Sequence, residues 1–126
     1  MQPTALLHEA LFGAKPACEA LIGAEGDEVV CFALFFHNFS TFLSRKGLYL
    51  EDLYVKQAHR SKGYGKRMLI ALAQLAVERQ CGRFEWSVLD WNSNAIDFYK
   101  NMGAVMLDDW RICRVTGDAL GKLAHM

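Results

Sequence analysis

Leu48-Tyr49-Leu50-Glu51-Asp52-Leu53-Tyr54-Val55, followed after four residues by Arg60-Ser61-Lys62-Gly63-Tyr64-Gly65-Lys66, is the stretch that decides the fold. The first segment is apolar and aromatic apart from two adjacent acids, which is a strand signature. The second sets two glycines among cations. From Lys66 to Arg79 the apolar positions Leu69, Leu72, Ala73 and Ala76 then recur at helical spacing, with Lys66, Arg67, Gln74, Glu78 and Arg79 on other faces. A strand, a glycine turn and a helix in that order bring unpaired backbone N–H groups and the positive end of a helix macrodipole, about half a charge, to one spot. Such a spot attracts pyrophosphate.

Working outward, Gly82 ends the helix and Arg83 to Leu89 resumes as a strand. Strand, helix and strand then form a crossover with parallel strands. Upstream, Leu6 to Phe12 fits a short helix stopped by Gly13, Lys15 and Pro16, and Ala17 to Ala24 is an apolar run. Glu25-Gly26-Asp27 is a hairpin turn into the strand Glu28 to His37, and a polar loop from Asn38 to Gly47 leads back to Leu48. These three strands make an antiparallel meander. Downstream, Asn92 or Ser93 can cap a helix running to Met102, with Ala95, Phe98, Tyr99 and Met102 on one stripe and Gly103 as its stop. Ala104 to Leu107 and Trp110 to Thr116 are expected as two last strands. The expectation is one α/β (α+β) domain over residues 1–126, with a mixed central sheet and flanking helices.

Bulk properties narrow the function classes. The 126 residues balance 14 basic against 14 acidic side chains, so no global field argues for nucleic acid or a membrane surface. Charge is local instead. Lys56, Arg60, Lys62, Lys66 and Arg67 fall within twelve positions, and no acid lies between Asp52 and Glu78. Cys18, Cys31, Cys81 and Cys113 are far apart and lack the spacing of a zinc site, so reduced thiols and no metal are expected. No basic leader with a long apolar core and no membrane-length apolar run is present. A cytoplasmic protein fits these features. His8, His37, His59 and His125 form no visible constellation.

The glycine loop fits neither common nucleotide pattern. A dinucleotide turn needs a third glycine where Met68 stands, and a nucleoside-triphosphate loop needs Ser or Thr where Arg67 stands. The pattern present is Arg-x-x-Gly-x-Gly after an apolar strand, followed later by Trp91-Asn92-Ser-Asn-Ala-Ile-Asp-Phe-Tyr99-Lys100-Asn-Met-Gly103-Ala104. Together these resemble the GCN5-related N-acetyltransferases (GNAT), and most closely the spermidine/spermine (diamine) acetyltransferase branch. The likeness runs from about Leu6 to the C-terminus.

The resemblance implies the acyl-CoA N-acyltransferase fold, acetyl-CoA as cofactor, and a small cationic amine (polyamine, diamine or lysine analogue) as acceptor. It implies that Arg60, Ser61, Lys62, Gly63, Tyr64, Gly65 and Lys66 hold the pyrophosphate. Leu53, Tyr54 and Val55 would pair through their backbone with the pantetheine arm, where their strand splays from the one at Arg83 to Leu89. Asn92 and Lys100 would also contact the cofactor, and capping is the other reading of Asn92. Glu51 is the expected base. Tyr49 and Leu53, two positions to either side, are taken as one apolar face, and an acid set into such a face holds its proton more readily. A lysine-like amine arrives protonated, near ~10, and must lose that proton before it attacks a thioester. Half-exposed strand periodicity leaves Glu51 equally readable as a surface acid.

Tyr99 matches the family's general acid for the thiolate leaving group. An ordinary phenol near ~10 is a weaker acid than a thiol near ~8.5, so full transfer is uphill by roughly 2 kcal/mol and hydrogen-bond donation suffices as its role. Glu51, Asp52, Glu85, Asp90 and Trp91 are candidates for an acceptor pocket, since carboxylates and an indole face attract ammonium groups. Each is also readable as a solvated side chain. Only sixteen residues precede Ala17, so the family's first strand and first helix are expected to be missing. A homodimer is expected on family precedent. The alternatives are a CoA-binding protein with little catalysis, or an acetyltransferase for a protein N-terminus or an antibiotic.

Overall fold

The computed structural model describes residues 11–126, as two compact units comprising residues 11–87 and residues 88–126. The expected helix Leu6 to Phe12 lies for most of its length on residues 1–10, outside the described residues.

The first unit is a four-stranded sheet in the order β1 (Glu19–Glu25), β2 (Glu28–Ser40), β3 (Arg45–Val55), β4 (Arg83–Glu85), with helix α1 (Tyr64–Glu78) on one face. The meander is antiparallel, as its hairpin signals required: Glu25 pairs with Glu28 across the turn, and Ser40 with Arg45. The polar loop expected from Asn38 to Gly47 is shorter than its composition suggested. Strand pairing continues to Ser40 and resumes at Arg45, because ladder hydrogen bonds outweigh the weak strand propensity of polar residues. The crossover is also present, with Gly47, Leu48 and Tyr49 pairing in parallel with Arg83, Phe84 and Glu85. The strand expected from Arg83 to Leu89 is ladder-paired only to Glu85.

Alternation sorts the sheet into two faces. Cys31, Ala33, Phe35 and His37 lie in register with Val55, Leu53, Leu50 and Leu48, and the buried residues of this set lie under Met68, Leu69, Leu72 and Ala76 of α1. Ala73, expected on that stripe, is exposed; Met68 takes its place. Leu48 and Leu72 are fully buried, and emptying either site is worth about 2–5 kcal/mol. At the helix end, the Arg79 guanidinium donates to both Glu19 carboxylate oxygens, at 2.7 and 2.9 Å, and lies over the Phe35 ring. This ion pair fastens α1 to β1.

The second unit holds helices α2 (Ser93–Asn101) and α3 (Gly117–Ala124). Gly103, at φ 102°, stops α2 as a glycine should. The strands expected at Ala104 to Leu107 and Trp110 to Thr116 do not form. Those residues make no ladder pairs among the described residues, and Val105, Leu107, Trp110, Ile112 and Val115 are exposed, so apolar composition without a partner strand leaves them irregular. Helix α3 was not anticipated, although Asp118 in its first turn and Lys122 in its last suit the macrodipole.

Candidate active site

β3 does not keep one register along its length. Leu34 pairs with Asp52 and Phe35 with Leu50, so Glu51 is an extra residue with no partner on β2. This is a β-bulge, a device that re-aims side chains and bends a strand. Its consequence corrects the expectation for Glu51. Tyr49 pairs with Phe36 whereas Leu53 pairs with Ala33, so the two neighbours lie on opposite faces rather than forming one apolar wall. Glu51 itself is exposed, together with Asp52. The carboxylate at the bulge is open to an incoming cation.

The same strand loses its other neighbour at nearly the same point. Parallel pairing with β4 stops at Tyr49 and Glu85, and β3 runs on to Val55 without it. Leu53, Tyr54 and Val55 therefore lie where this edge has no β4 ladder, and backbone groups there are able to pair with an amide-bearing chain. Arg60 closes the far end: its Nε donates to the Val55 carbonyl at 3.0 Å, and its guanidinium lies over the Tyr54 ring.

From Val55 the chain passes through a short 3-10 turn, Gln57–His59, into the glycine loop. Ser61 and Gly63 both have positive φ, 69° and 82°, and Gly63 occupies the N-cap position of α1. That helix start has no side-chain cap and no acid in its first turn; Lys66 and Arg67 stand there instead. Two cations and uncapped N–H groups are the wrong sign for a helix N-terminus on its own, and an anion corrects it. A Cβ at Gly65 would meet no atom of the described residues within 4 Å, so their packing does not demand glycine there. The open space lets a ligand approach the backbone. Twin αL turns, free N–H groups and this opening fit the diphosphate of acetyl-CoA.

The loop is less uniformly basic in space than in sequence. Glu25, at the β1–β2 turn, accepts from the Tyr64 hydroxyl and lies 3.6 Å from Lys62 Nζ. The Tyr64 hydrogen bond, then Lys62, lowers the pKa of Glu25, and the same hydrogen bond raises that of Tyr64. His59 is buried among these groups, which overturns the reading that the histidines form no constellation. No local sequence signal could have shown this, since Glu28 is 31 positions away.

Of the remaining candidates, Glu85 lies on β4 opposite Tyr49 with its carboxylate 3.0 Å from Arg83 Nε. Tyr49 reaches the adjoining segment through its hydroxyl, 2.7 Å from Ser87 Oγ. In the second unit, Asp90 and Trp91 are exposed ahead of α2. Asn92 caps that helix, its Oδ1 accepting from the Ala95 N–H at 3.2 Å. Tyr99 is half-buried on α2, with its ring against Phe98, and Lys100 is exposed. Among the described residues no cluster of His, Cys, Asp and Glu could hold a metal ion.

This combination of meander, bulge, parallel pair and glycine loop before a helix defines a class. The acetyltransferase (GNAT) family model matches residues 2–104, and the chain belongs to that family. Over 92 residues it is 51% identical to the L-ornithine N5-acetyltransferase NATA1 of Arabidopsis thaliana, an overlap of 73% of this chain and 40% of the plant protein. It is 34% identical over 124 residues to the thialysine N-epsilon-acetyltransferase of Sus scrofa, covering 90% of this chain and 72% of that one. An integron cassette protein of V. cholerae has the same fold, with a TM-score of 0.84 at 28% identity over 99% of this chain and 80% of its own. The chain thus spans less than half the length of the plant relative.

Proposed function

We propose that the chain is an acetyl-CoA-dependent N-acetyltransferase that acts on a primary amine of a small cationic acceptor, such as a polyamine, a diamine, ornithine or a lysine analogue. One observation carries the reading: β3 loses its partner at the Glu51 bulge and leads from that open edge into an uncapped, cation-bearing helix start. The named substrates of the plant and mammalian relatives, ornithine and thialysine, are amines of this kind.

Bound acetyl-CoA supplies the thioester carbonyl that the amine attacks. Residues 60–66 seat the diphosphate through backbone N–H groups and cations, and the edge at Leu53, Tyr54 and Val55 pairs with the pantetheine amides. Glu51, open to solvent at the bulge, takes the ammonium proton directly or through one water, which frees the nitrogen lone pair. On transfer, the acetyl carbon would exchange its bond to sulfur for one to nitrogen, and the second nitrogen proton would pass to the thiolate or to water. Tyr99 donates a hydrogen bond to the departing thiolate, a role that rests on the motif alone, as do cofactor contacts from Asn92 and Lys100. Asp52, Glu85, Asp90 and Trp91 are proposed acceptor contacts, with Glu85 acting beside Arg83 rather than as a bare charge. Homodimer formation rests on the family resemblance, and a cytoplasmic location on four free thiols.

Thiol release from acetyl-CoA, measured with ornithine, thialysine, spermidine and putrescine, tests this. Release that requires one of these amines is the expected result. CoA binding with no release across the panel would favour a CoA-binding protein without turnover.

A further inference from the structure

Next to the glycine loop, His59, Glu25 and Glu28 form a polar cluster to which the proposed acetyl transfer gives no role. His59, on the 3-10 turn, is only 8% exposed. Its Nε2 lies 3.1 Å from Glu28 Oε2, and its Nδ1 lies 3.1 Å from Lys62 Nζ and 3.7 Å from Glu25 Oε2. An ammonium only donates, so Nδ1 accepts from Lys62, and Nε2 carries the proton and donates to Glu28. The ring of Tyr64, itself tied to Glu25, packs 6.2 Å away. The β1–β2 turn is thereby joined to the loop.

We infer that His59 is a positioning residue of the diphosphate seat, which holds the Lys62 ammonium beside the start of α1 so that this seat discriminates for the diphosphate of its ligand. This rests on the reading of residues 60–66 as that seat. A neutral imidazole is suited to the task. It fixes a long, rotamer-rich side chain before the ligand arrives, and it does so without cancelling the lysine charge. Glu25 does the opposite, because its carboxylate draws Lys62 and neutralises it in part. Without the imidazole, Lys62 falls to Glu25, and the seat loses both order and field.

Equilibrium binding of CoA and of pantetheine, which lacks the diphosphate, to the full chain tests the assignment. His59→Phe should weaken CoA binding by about five- to tenfold, the range of one lost hydrogen bond of ordinary net strength, and leave pantetheine within about twofold. Adding Glu25→Gln to that variant should recover part of the loss, and His59→Gln, whose amide both donates and accepts, should recover most of it. An unchanged CoA affinity, or equal losses for both ligands, would overturn the inference. If His59→Phe does not fold, Glu28→Gln at the hairpin should weaken CoA selectively by about twofold, and no change there would count against it equally. Failure of the wild-type chain to bind either ligand would instead remove the seat itself.

Discussion

β3 has two halves that differ in one respect. Residues 47–49 are flanked by β2 on one side and β4 on the other, whereas residues 50–55, apart from the bulged Glu51, pair among the described residues with β2 alone. The paired half carries Leu48, fully buried beneath α1, and the open half carries the exposed Glu51. A single strand is thus scaffold up to the bulge and proposed site beyond it. A carboxylate two residues past a locked stretch of sheet is fixed in position yet wet, which suits the proposed role of taking a proton from an amine.

Substitutions in the two halves should therefore separate catalysis from stability. Glu51→Gln is expected to have the largest effect, slowing acetyl transfer by about 10²-fold or more while CoA binding and thermal stability hold; steady-state kinetics beside a melting curve would show it. In the paired half, Leu48→Ala should cost about 2–5 kcal/mol in urea unfolding and leave kcat per folded molecule nearly unchanged. Loss of activity in proportion to neither would break the division. On α1, beyond the open half, Gly65→Ala should fold normally, since no atom of the described residues lies within 4 Å of a Cβ there, yet weaken CoA binding by about tenfold as measured by calorimetry.

The smallest effect belongs to pH. The Arg79 hydrogen bond holds the Glu19 pKa below its ordinary 4.5, and burial, then Arg79, holds that of His37 below its ordinary 6.5. Both groups have depressed values in the folded chain, so each stabilises above its ordinary value and loses that contribution as pH falls through the folded one. Urea midpoints should drop first below about pH 6.5 and again below about 4.5. Because both side chains are partly exposed, each step should be under about 1 kcal/mol.

The scaffold was largely legible in the sequence. Hairpin punctuation at Glu25-Gly26-Asp27 and the spacing of Leu69, Leu72 and Ala76 depend on neighbours along the chain, and the meander and α1 follow from them. The bulge also left a trace: apolar positions on the α1 face shift from Leu48 and Leu50 to Leu53 and Val55, a change of phase across Glu51-Asp52. A strict alternation of faces misses that shift and places Tyr49 and Leu53 on one face. His59 with Glu25 and Glu28 was not legible, because pairing at long sequence distance exists only once β1 and β2 have folded. The apolar stretch from 104 to 116 failed for the converse reason, since strand composition specifies a strand only beside a partner.

Hydrogen–deuterium exchange along β3, with and without CoA, tests the division of this strand most directly. Slower exchange confined to amides within residues 50–55, with residues 47–49 unchanged, is the predicted result. Equal protection along the whole strand, or none anywhere, would contradict it.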